Sequence, residues 1–261
     1  MKRSIPYQQG QVLSYTDNGN KTGYPILIQH GLIATITEIA LFQRLLDSGA
    51  RLISLARPGY GDSSPYPLRN IAEWATIVAV LVEELGLPRF DVLGMSSGAP
   101  YSYALGYHMP AQVRNLFIFS GTPALYDKQI LAAWPYPTNK EATLAELQTV
   151  AYELFFAHLS PAERTQPAIQ DSLRHGCFGI AQDLKLRSAD WGFTLAQVTP
   201  QVYMRHSKAD TAVPFVTAAM TAKLLPYCHL EVREDEVHFS DALLDDFIQT
   251  VMVSHYGHSK E

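Results

Sequence analysis

The chain has 261 residues, of which 47% are hydrophobic, 17% charged and 11% aromatic. This composition supplies enough apolar surface for a folded core and lacks the charge-rich, aromatic-poor character of disordered chains. Lys and Arg total 20 against 25 Asp and Glu, so the formal net charge is -5, and no basic run is present that could neutralise a row of phosphates. We therefore expect a globular protein that does not bind nucleic acid.

The chain also lacks the apolar segments that direct or anchor proteins at membranes. Residues 1–10 contain two basic side chains but no apolar stretch after them, so no signal or transit sequence is recognisable. The longest apolar runs, such as residues 77–82, are too short to cross a bilayer. These features predict a cytoplasmic protein without a membrane span.

Short apolar or β-branched runs alternate with helical patterns, which is typical of a mostly parallel sheet with helices on both faces. Residues 11–15 and 25–29 flank a polar segment rich in Gly and Asn, residues 17–23, that favours a hairpin, so the sheet is expected to begin antiparallel. Further strands are predicted at residues 51–56, 90–93, 115–120, 201–205 and 229–233. Helices are predicted at residues 38–48, 70–85, 97–108 and 241–253.

The pattern changes between residues 122 and 195, where no strand-like run occurs. Helical segments are predicted there at residues 140–158, 161–176 and 179–188. This predicts a core formed by residues 1–121 and 196–261, with residues 122–195 as a helical cap. The segment is rich in large aromatic side chains, most of which we expect to pack it onto the core, whereas a minority should line a pocket. Trp134 and Trp191 are the predicted substrate-binding members.

The most specific short motif is Gly94–Gly98, which has the pattern G-x-S-x-G. It follows the apolar run 90–93 directly and precedes a helical pattern. A serine on a sharp strand-to-helix turn is strained, and the positions two before and two after it must be small, a demand that both glycines meet. Alone, the motif could be an ordinary tight turn. In this context it predicts a nucleophile, Ser96.

A serine hydroxyl becomes nucleophilic only when an adjacent base takes its proton, so the motif requires a His and an acid elsewhere. His238 follows the last predicted strand and is the candidate base, because ligand sites in open α/β sheets form at the carboxyl ends of strands. Asp210 follows strand 201–205 and is the candidate acid, with Asp235 as the alternative. Asp210 is preferred because Ser, Asp, His is the order expected when all three follow successive strands.

These segments together make the chain resemble the α/β-hydrolase fold family over nearly its whole length. The segments that carry the resemblance are Gly94–Gly98, Gln29–Leu32, Arg57–Ser64 and Asp210–Pro214. The resemblance implies an α/β fold with a mostly parallel eight-stranded sheet flanked by helices and a helical cap insertion. It also implies Ser96 as nucleophile, Asp210 as acid and His238 as base.

Attack by a serine places negative charge on a carbonyl oxygen, which needs donors fixed beforehand. The N–H of Ser97, at the start of a helix, is one predicted donor, and the resemblance places the second on Leu32. We expect His30 to brace that loop rather than to transfer protons. The chain departs from the family in having Val237 and Ser207 where glycines are common.

The expected activity is that of a cofactor-independent serine hydrolase acting on a small or medium carboxylic ester. Thioester, amide or carbon–carbon bond cleavage, a lyase reaction, and non-catalytic binding of a small molecule remain open, as does the oligomeric state. No metal is expected, because HExxH and clustered ligand spacings are missing and Cys177 and Cys228 stand apart from other ligands. No G-x-G-x-x-G follows a strand, so no dinucleotide cofactor is expected.

Overall fold

The computed structural model describes residues 1–234 and 236–257, and in these residues eight strands form one sheet. The strands are β1 (Lys2–Pro6), β2 (Val12–Gly19), β3 (Pro25–Gln29), β4 (Arg51–Leu55), β5 (Phe90–Met95), β6 (Val113–Phe119), β7 (Gln201–Ser207) and β8 (Cys228–Arg233). Their order across the sheet is β1-β2-β4-β3-β5-β6-β7-β8. Strands β3 to β8 run parallel, whereas β1 and β2 are antiparallel to their neighbours. The mostly parallel eight-stranded sheet is therefore confirmed.

The predicted hairpin between the first two runs is wrong, although the sheet does begin antiparallel. Strand β2 pairs with β1 and β4, and β3 pairs with β4 and β5, so β4 lies between the two runs. Of the residues expected in the hairpin loop, 17–19 continue strand β2 and 20–23 form the turn after it. Asp17 stays in the sheet because its carboxylate accepts hydrogen bonds from the guanidinium of Arg51 on β4, at 3.0 and 3.1 Å.

Helices cover both faces of the sheet and alternate with the strands. They are α1 (Gln43–Asp47), α2 (Ile71–Glu84), α3 (Ala99–His108), α4 (Lys128–Ala132), α5 (Leu144–Phe155), α6 (Pro167–Leu186), α7 (Phe215–Leu224), α8 (Asp241–Phe247) and α9 (Ser254–Gly257). Short 3-10 turns precede α1, α3 and α6, and a π-helical segment, Ile248–Val253, joins α8 to α9. Helix α2 begins at the predicted point because the Asn70 side chain accepts a hydrogen bond from the Glu73 N–H.

The core lies on the two faces of this sheet. On β3, Leu27 packs with α2 and α3, whereas its neighbours Ile26 and Ile28 pack on the opposite face with α1 and α8. This is the alternation that strand geometry imposes, and burial on both faces explains why the parallel strands read as continuous apolar runs.

Helices α4, α5 and α6 lie between β6 and β7, in the segment that we call the insertion (residues 122–195). Two of its helices were predicted at residues 161–176 and 179–188, and the structure joins them as α6 with a sharp kink. At the kink, His175, Gly176 and Cys177 have positive φ values of 56°, 64° and 62°. The kink changes the direction of α6, so its second half packs against the core. Within the described ranges, no helix is both long and apolar enough to cross a bilayer.

Candidate active site

Ser96 lies on the sharp turn between β5 and α3 that the sequence motif predicts. Its φ is 47°, in the left-handed region that side chains rarely adopt. A side chain at Gly98 would collide with the backbone carbonyl of Gln29, and one at Gly94 would collide with Ser102. Glycine is therefore required on both sides of the strained serine, and this turn holds the Ser96 hydroxyl at the carboxyl edge of the sheet.

The structure brings Ser96, His238 and Asp210 into one hydrogen-bonded chain. His238 Nε2 lies 2.9 Å from Ser96 Oγ, and His238 Nδ1 lies 2.7 Å from Asp210 Oδ2. The three residues follow β5, β8 and β7, so the three strand ends meet at the same edge of the sheet. The alternative acid, Asp235, lies outside the residues that the structure describes.

Asp210 is buried and held by several donors. Burial by itself would raise the pKa of this carboxyl, but hydrogen bonds from His206, His238 and the Val213 N–H outweigh burial and place the pKa well below its ordinary value. The Ala212 and Val213 N–H groups donate to Oδ1, at 2.9 and 2.8 Å. The carboxylate is therefore ionised over the neutral pH range.

His206 is a functional neighbour that the sequence analysis missed. It is fully buried, and its Nε2 lies 2.7 Å from the Val213 carbonyl oxygen and 3.3 Å from Asp210 Oδ2. Both oxygens are acceptors, so His206 Nε2 carries a proton. This hydrogen bonding helps to fix the loop that carries Asp210. The available signal was a histidine at the end of β7, four residues before the acid.

The hydrogen-bond chain defines the protonation of the histidine. An ionised Asp210 can only accept, so His238 Nδ1 carries a proton and donates it to the carboxylate. In neutral imidazole the other nitrogen is then an acceptor, and it faces the Ser96 hydroxyl. This tautomer can take the serine proton while the carboxylate stabilises the imidazolium that results.

The loop after β3, which carries the predicted second amide donor, lies close to Ser96. A Cβ placed on Gly31 would lie 3.8 Å from Ser96 Cβ. The Gly31 carbonyl accepts a hydrogen bond of 3.0 Å from Arg57 Nη2. Because C=O and N–H point in opposite directions across a trans peptide, this bond also fixes the direction of the Leu32 N–H.

Arg57 is itself fixed by a buried ion pair with Asp183 of α6. The Nη2 to Oδ2 distance is 2.7 Å, and both side chains are almost fully buried. The Tyr60 and Tyr101 hydroxyls donate to the same carboxylate, at 2.8 and 2.6 Å. Burial opposes the charge on Arg57, but Asp183 outweighs burial and raises the guanidinium pKa above its usual value. The insertion thereby reaches the loop that carries Leu32.

His30 has the bracing role expected from the sequence. Its Nδ1 lies 2.7 Å from the Gly31 carbonyl, to which it donates, and its Nε2 accepts from the Arg57 N–H at 3.3 Å. Burial, and then the charge of Arg57, lower the pKa of His30 well below its ordinary value. With both nitrogens engaged and the ring neutral, His30 is not available as a proton carrier.

A cavity of about 1750 Å³ opens over Ser96 and His238. Its wall is contributed by the loop after β3, by the start of α8 and by the insertion, and is mostly apolar. Insertion side chains that line it include Trp134, Tyr136, Leu147, Leu154 and Phe155. A substrate in this space would be held between the core and the insertion.

The two tryptophans predicted to bind substrate have different places. Trp134 lines the cavity. Trp191 does not line it: the indole is fully buried against Tyr103, Tyr126 and Phe193, and its Nε1 donates to the Arg187 carbonyl at 3.1 Å. The expectation of substrate contact at Trp191 is corrected accordingly, because this side chain fills the interface between the insertion and α3.

Within residues 1–234 and 236–257, no group of three or more His, Cys, Asp or Glu side chains is placed to hold a metal ion.

Comparison with known proteins places these observations in a family. The model of the alpha/beta hydrolase family matches residues 26–250. An uncharacterized hydrolase, YcgS, from Bacillus subtilis is 27% identical over 138 residues, which are 53% of this chain and 45% of that protein. A 2-hydroxy-6-oxo-2,4-heptadienoate hydrolase from Pseudomonas putida is 21% identical over 222 residues, 80% of each chain. The match thus spans less than half the length of YcgS.

Among solved structures, an esterase from Exiguobacterium antarcticum is similar in fold. It superposes with a TM-score of 0.77 at 23% identity, covering 98% of this chain and 100% of that one. At this identity the likeness concerns the fold.

Proposed function

The chain belongs to the alpha/beta hydrolase family, and from that premise we propose that it is a serine hydrolase that cleaves a small or medium carboxylic ester through an acyl-enzyme on Ser96. The observation that carries the proposal is the continuous hydrogen-bond chain from Ser96 Oγ through His238 to Asp210, at the base of a mostly apolar cavity. The insertion is proposed to act as the cap of that cavity.

In the first half-reaction, Ser96 Oγ forms a bond to the ester carbonyl carbon while its proton passes to His238 Nε2. The carbonyl electron pair moves onto oxygen, where the Leu32 and Ser97 N–H groups are proposed to stabilise the charge. The pair returns as the carbon–oxygen bond to the alcohol breaks, and His238 gives its proton to the departing alcohol.

In the second half-reaction, water attacks the acyl-enzyme and His238 takes its proton. The tetrahedral intermediate collapses, the bond to Ser96 Oγ breaks, and His238 returns the proton to the serine. The carboxylic acid leaves and the enzyme is restored. Asp210 remains ionised throughout and stabilises the imidazolium that forms twice in the cycle.

The alternatives use the same three residues with a different bond. Thioester and amide cleavage differ only in the leaving group, and carbon–carbon cleavage needs a carbanion leaving group that is stabilised within the substrate. A non-catalytic binding protein is disfavoured because the serine, histidine and carboxylate are all retained in hydrogen-bonding geometry.

A substrate panel tests the proposal. Turnover is measured on 4-nitrophenyl esters of graded acyl length, with the matched thioesters and anilides. The proposal predicts the highest kcat/KM on the oxygen esters of short or medium acyl chains, and loss of that turnover in Ser96→Ala. Hydrolysis of thioesters or anilides alone would assign the enzyme to another reaction class. The absence of turnover on every substrate in the panel would reject the proposed hydrolase function.

A further inference from the structure

Arg187 is a positively charged side chain in the wall of the cavity, and it forms no ion pair with any carboxylate that the structure describes. It follows α6 directly and lines the cavity. Its Nε is buried without a hydrogen-bond partner. Within the described part of the chain, no carboxylate forms an ion pair with its guanidinium, and it is the one Lys or Arg side chain that lines the cavity.

The carboxylates that could neutralise Arg187 are occupied elsewhere. Asp183 lies four residues earlier on α6, the spacing at which helical ion pairs form, but its oxygens are bonded to Arg57, Tyr60 and Tyr101. Glu146, which also lines the cavity, accepts hydrogen bonds from Thr143 at the start of α5. Burial lowers the pKa of Arg187, an effect that Asp183 offsets in part. The fold thus retains a largely buried charge that no carboxylate of the described residues pairs with directly.

Trp134 provides a second unused donor at the same place. The Arg187 guanidinium lies over its indole ring, 5.7 Å from the ring centre. Trp134 Nε1 is buried and also lacks a hydrogen-bond partner, and Trp134 lines the cavity beside Arg187. These two nitrogens are themselves buried. The Arg187 side chain as a whole is partly exposed and lines the cavity, so its charge is open to an anionic ligand group there.

We propose that Arg187, held over the Trp134 ring, binds a carboxylate of the substrate, so that the preferred esters are half-esters of dicarboxylic acids or other esters that carry a free carboxylate. The proposal rests on the hydrolase function given above and specifies its substrate class. A carboxylate fits because its two oxygens match the planar N–H fork of a guanidinium and its single charge balances one arginine.

Carboxylates in the cavity wall also influence how an anionic substrate is oriented. Glu38, Asp241 and Asp245 also line the cavity and come from the core. An anionic substituent is repelled by these carboxylates and attracted by Arg187 on the insertion. Glu146 lines the cavity from the insertion and repels an anion as well, so the anionic end of a substrate is directed to Arg187 itself.

The test compares two esters that differ in one charge, 4-nitrophenyl hydrogen glutarate and 4-nitrophenyl methyl glutarate. The proposal predicts that the enzyme has a higher kcat/KM for the acid than for its methyl ester, and that Arg187→Met lowers this ratio at least tenfold, mainly through KM. Arg187→Gln, which keeps length and polarity, is the second variant if the first fails to fold. A ratio near one in the unmodified enzyme, or one unchanged in both variants, would overturn the proposal.

A matched control removes an equal charge from the same segment. Arg174, on the first half of α6, pairs with Asp62 and does not line the cavity. Arg174→Met should leave the ratio of the two esters as it is in the unmodified enzyme. A ratio lowered as much as by Arg187→Met would show a general charge effect and would contradict a defined site.

A binding measurement separates this proposal from the proposed function. Calorimetry of monomethyl glutarate with Ser96→Ala needs no turnover. Binding that is lost in Ser96→Ala/Arg187→Met supports the carboxylate site even if neither ester is hydrolysed, in which case the hydrolase function alone fails. Equal binding by both proteins, or no binding by Ser96→Ala, overturns the site whatever the activity.

Discussion

Arg57 and Asp183 form a buried ion pair that joins the loop beside Ser96 to the insertion. Arg57 comes from the segment after β4 and Asp183 from α6, and the guanidinium also donates to the His30 and Gly31 carbonyls, at 2.6 and 3.0 Å. One side chain therefore fixes the direction of the Leu32 N–H and the position of the insertion together.

Replacing Asp183 by Asn should leave Arg57 as a buried charge without its counter-charge. Removal of one partner of a buried pair costs about 3–5 kcal/mol, so we expect a clearly lower melting temperature. We also expect a lower kcat, because the Gly31 peptide loses its restraint. The control is Glu234→Gln, which breaks an exposed pair with Lys208 and should cost about 1 kcal/mol or less. Equal melting temperatures for the two variants would contradict this role.

His30 should make the protein less stable as the pH falls below about 6.5. Its pKa is lowered in the folded state by burial and by Arg57, so below that pH the unfolded chain takes up a proton that the folded chain does not. The free energy of unfolding then falls with a slope of up to about 1.4 kcal/mol per pH unit. Urea unfolding between pH 5 and 8 measures this slope. His30→Gln should reduce it, and parallel curves would refute the assignment.

Asp210→Asn should reduce turnover while leaving Ser96 in place. An amide can donate to His238 Nδ1 and favours the tautomer that cannot accept the serine proton, so kcat should fall by up to roughly 10⁴. Steady-state kinetics on a good ester substrate measures the loss. Asp235→Asn is the control and should have little effect. If Asp235→Asn abolishes turnover and Asp210→Asn is mild, the acid is misassigned.

Replacing Trp191 should change stability, whereas replacing Trp134 should change substrate preference. Trp191→Ala empties a fully buried site and should cost about 3–5 kcal/mol of stability, without changing the order of preferred substrates. Trp134→Ala enlarges the cavity and should shift preference toward bulkier acyl or alcohol groups. Melting temperature and the ester panel are measured on both. An unchanged substrate order in Trp134→Ala would remove it from the pocket wall.

The sequence predicted seven of the eight strands, most helices and the residues that meet at the sheet edge because local signals specify them, but it missed β1 and α7. The apolar runs, the Asn70 cap and the glycines around Ser96 each have a local physical reason. The order of strands in the sheet has no such local signal. The pairing of β2 with β4 depends on contacts between residues far apart in sequence, such as Asp17 with Arg51. The sequence pattern there favoured the wrong hairpin.

The sequence also did not predict which side chains of the insertion line the cavity and which are buried. Trp134 and Trp191 are the same residue type in the same segment, but Trp191 packs on Tyr103 of α3 whereas Trp134 lines the cavity. The Arg57–Asp183 pair spans 126 residues of chain, so no local pattern indicates it.

Covalent labelling shows directly whether Ser96 is the nucleophile of the proposed hydrolase. The protein is treated with a fluorophosphonate, digested, and the modified residue located by mass spectrometry. Ser120→Ala is the control, because Ser120 also has a positive φ, 48°, and does not line the cavity. If Ser96 is the nucleophile, Ser96 is the one phosphonylated residue, and labelling is lost in Ser96→Ala and retained in Ser120→Ala. Labelling that persists in Ser96→Ala, or that maps to another serine, would contradict it.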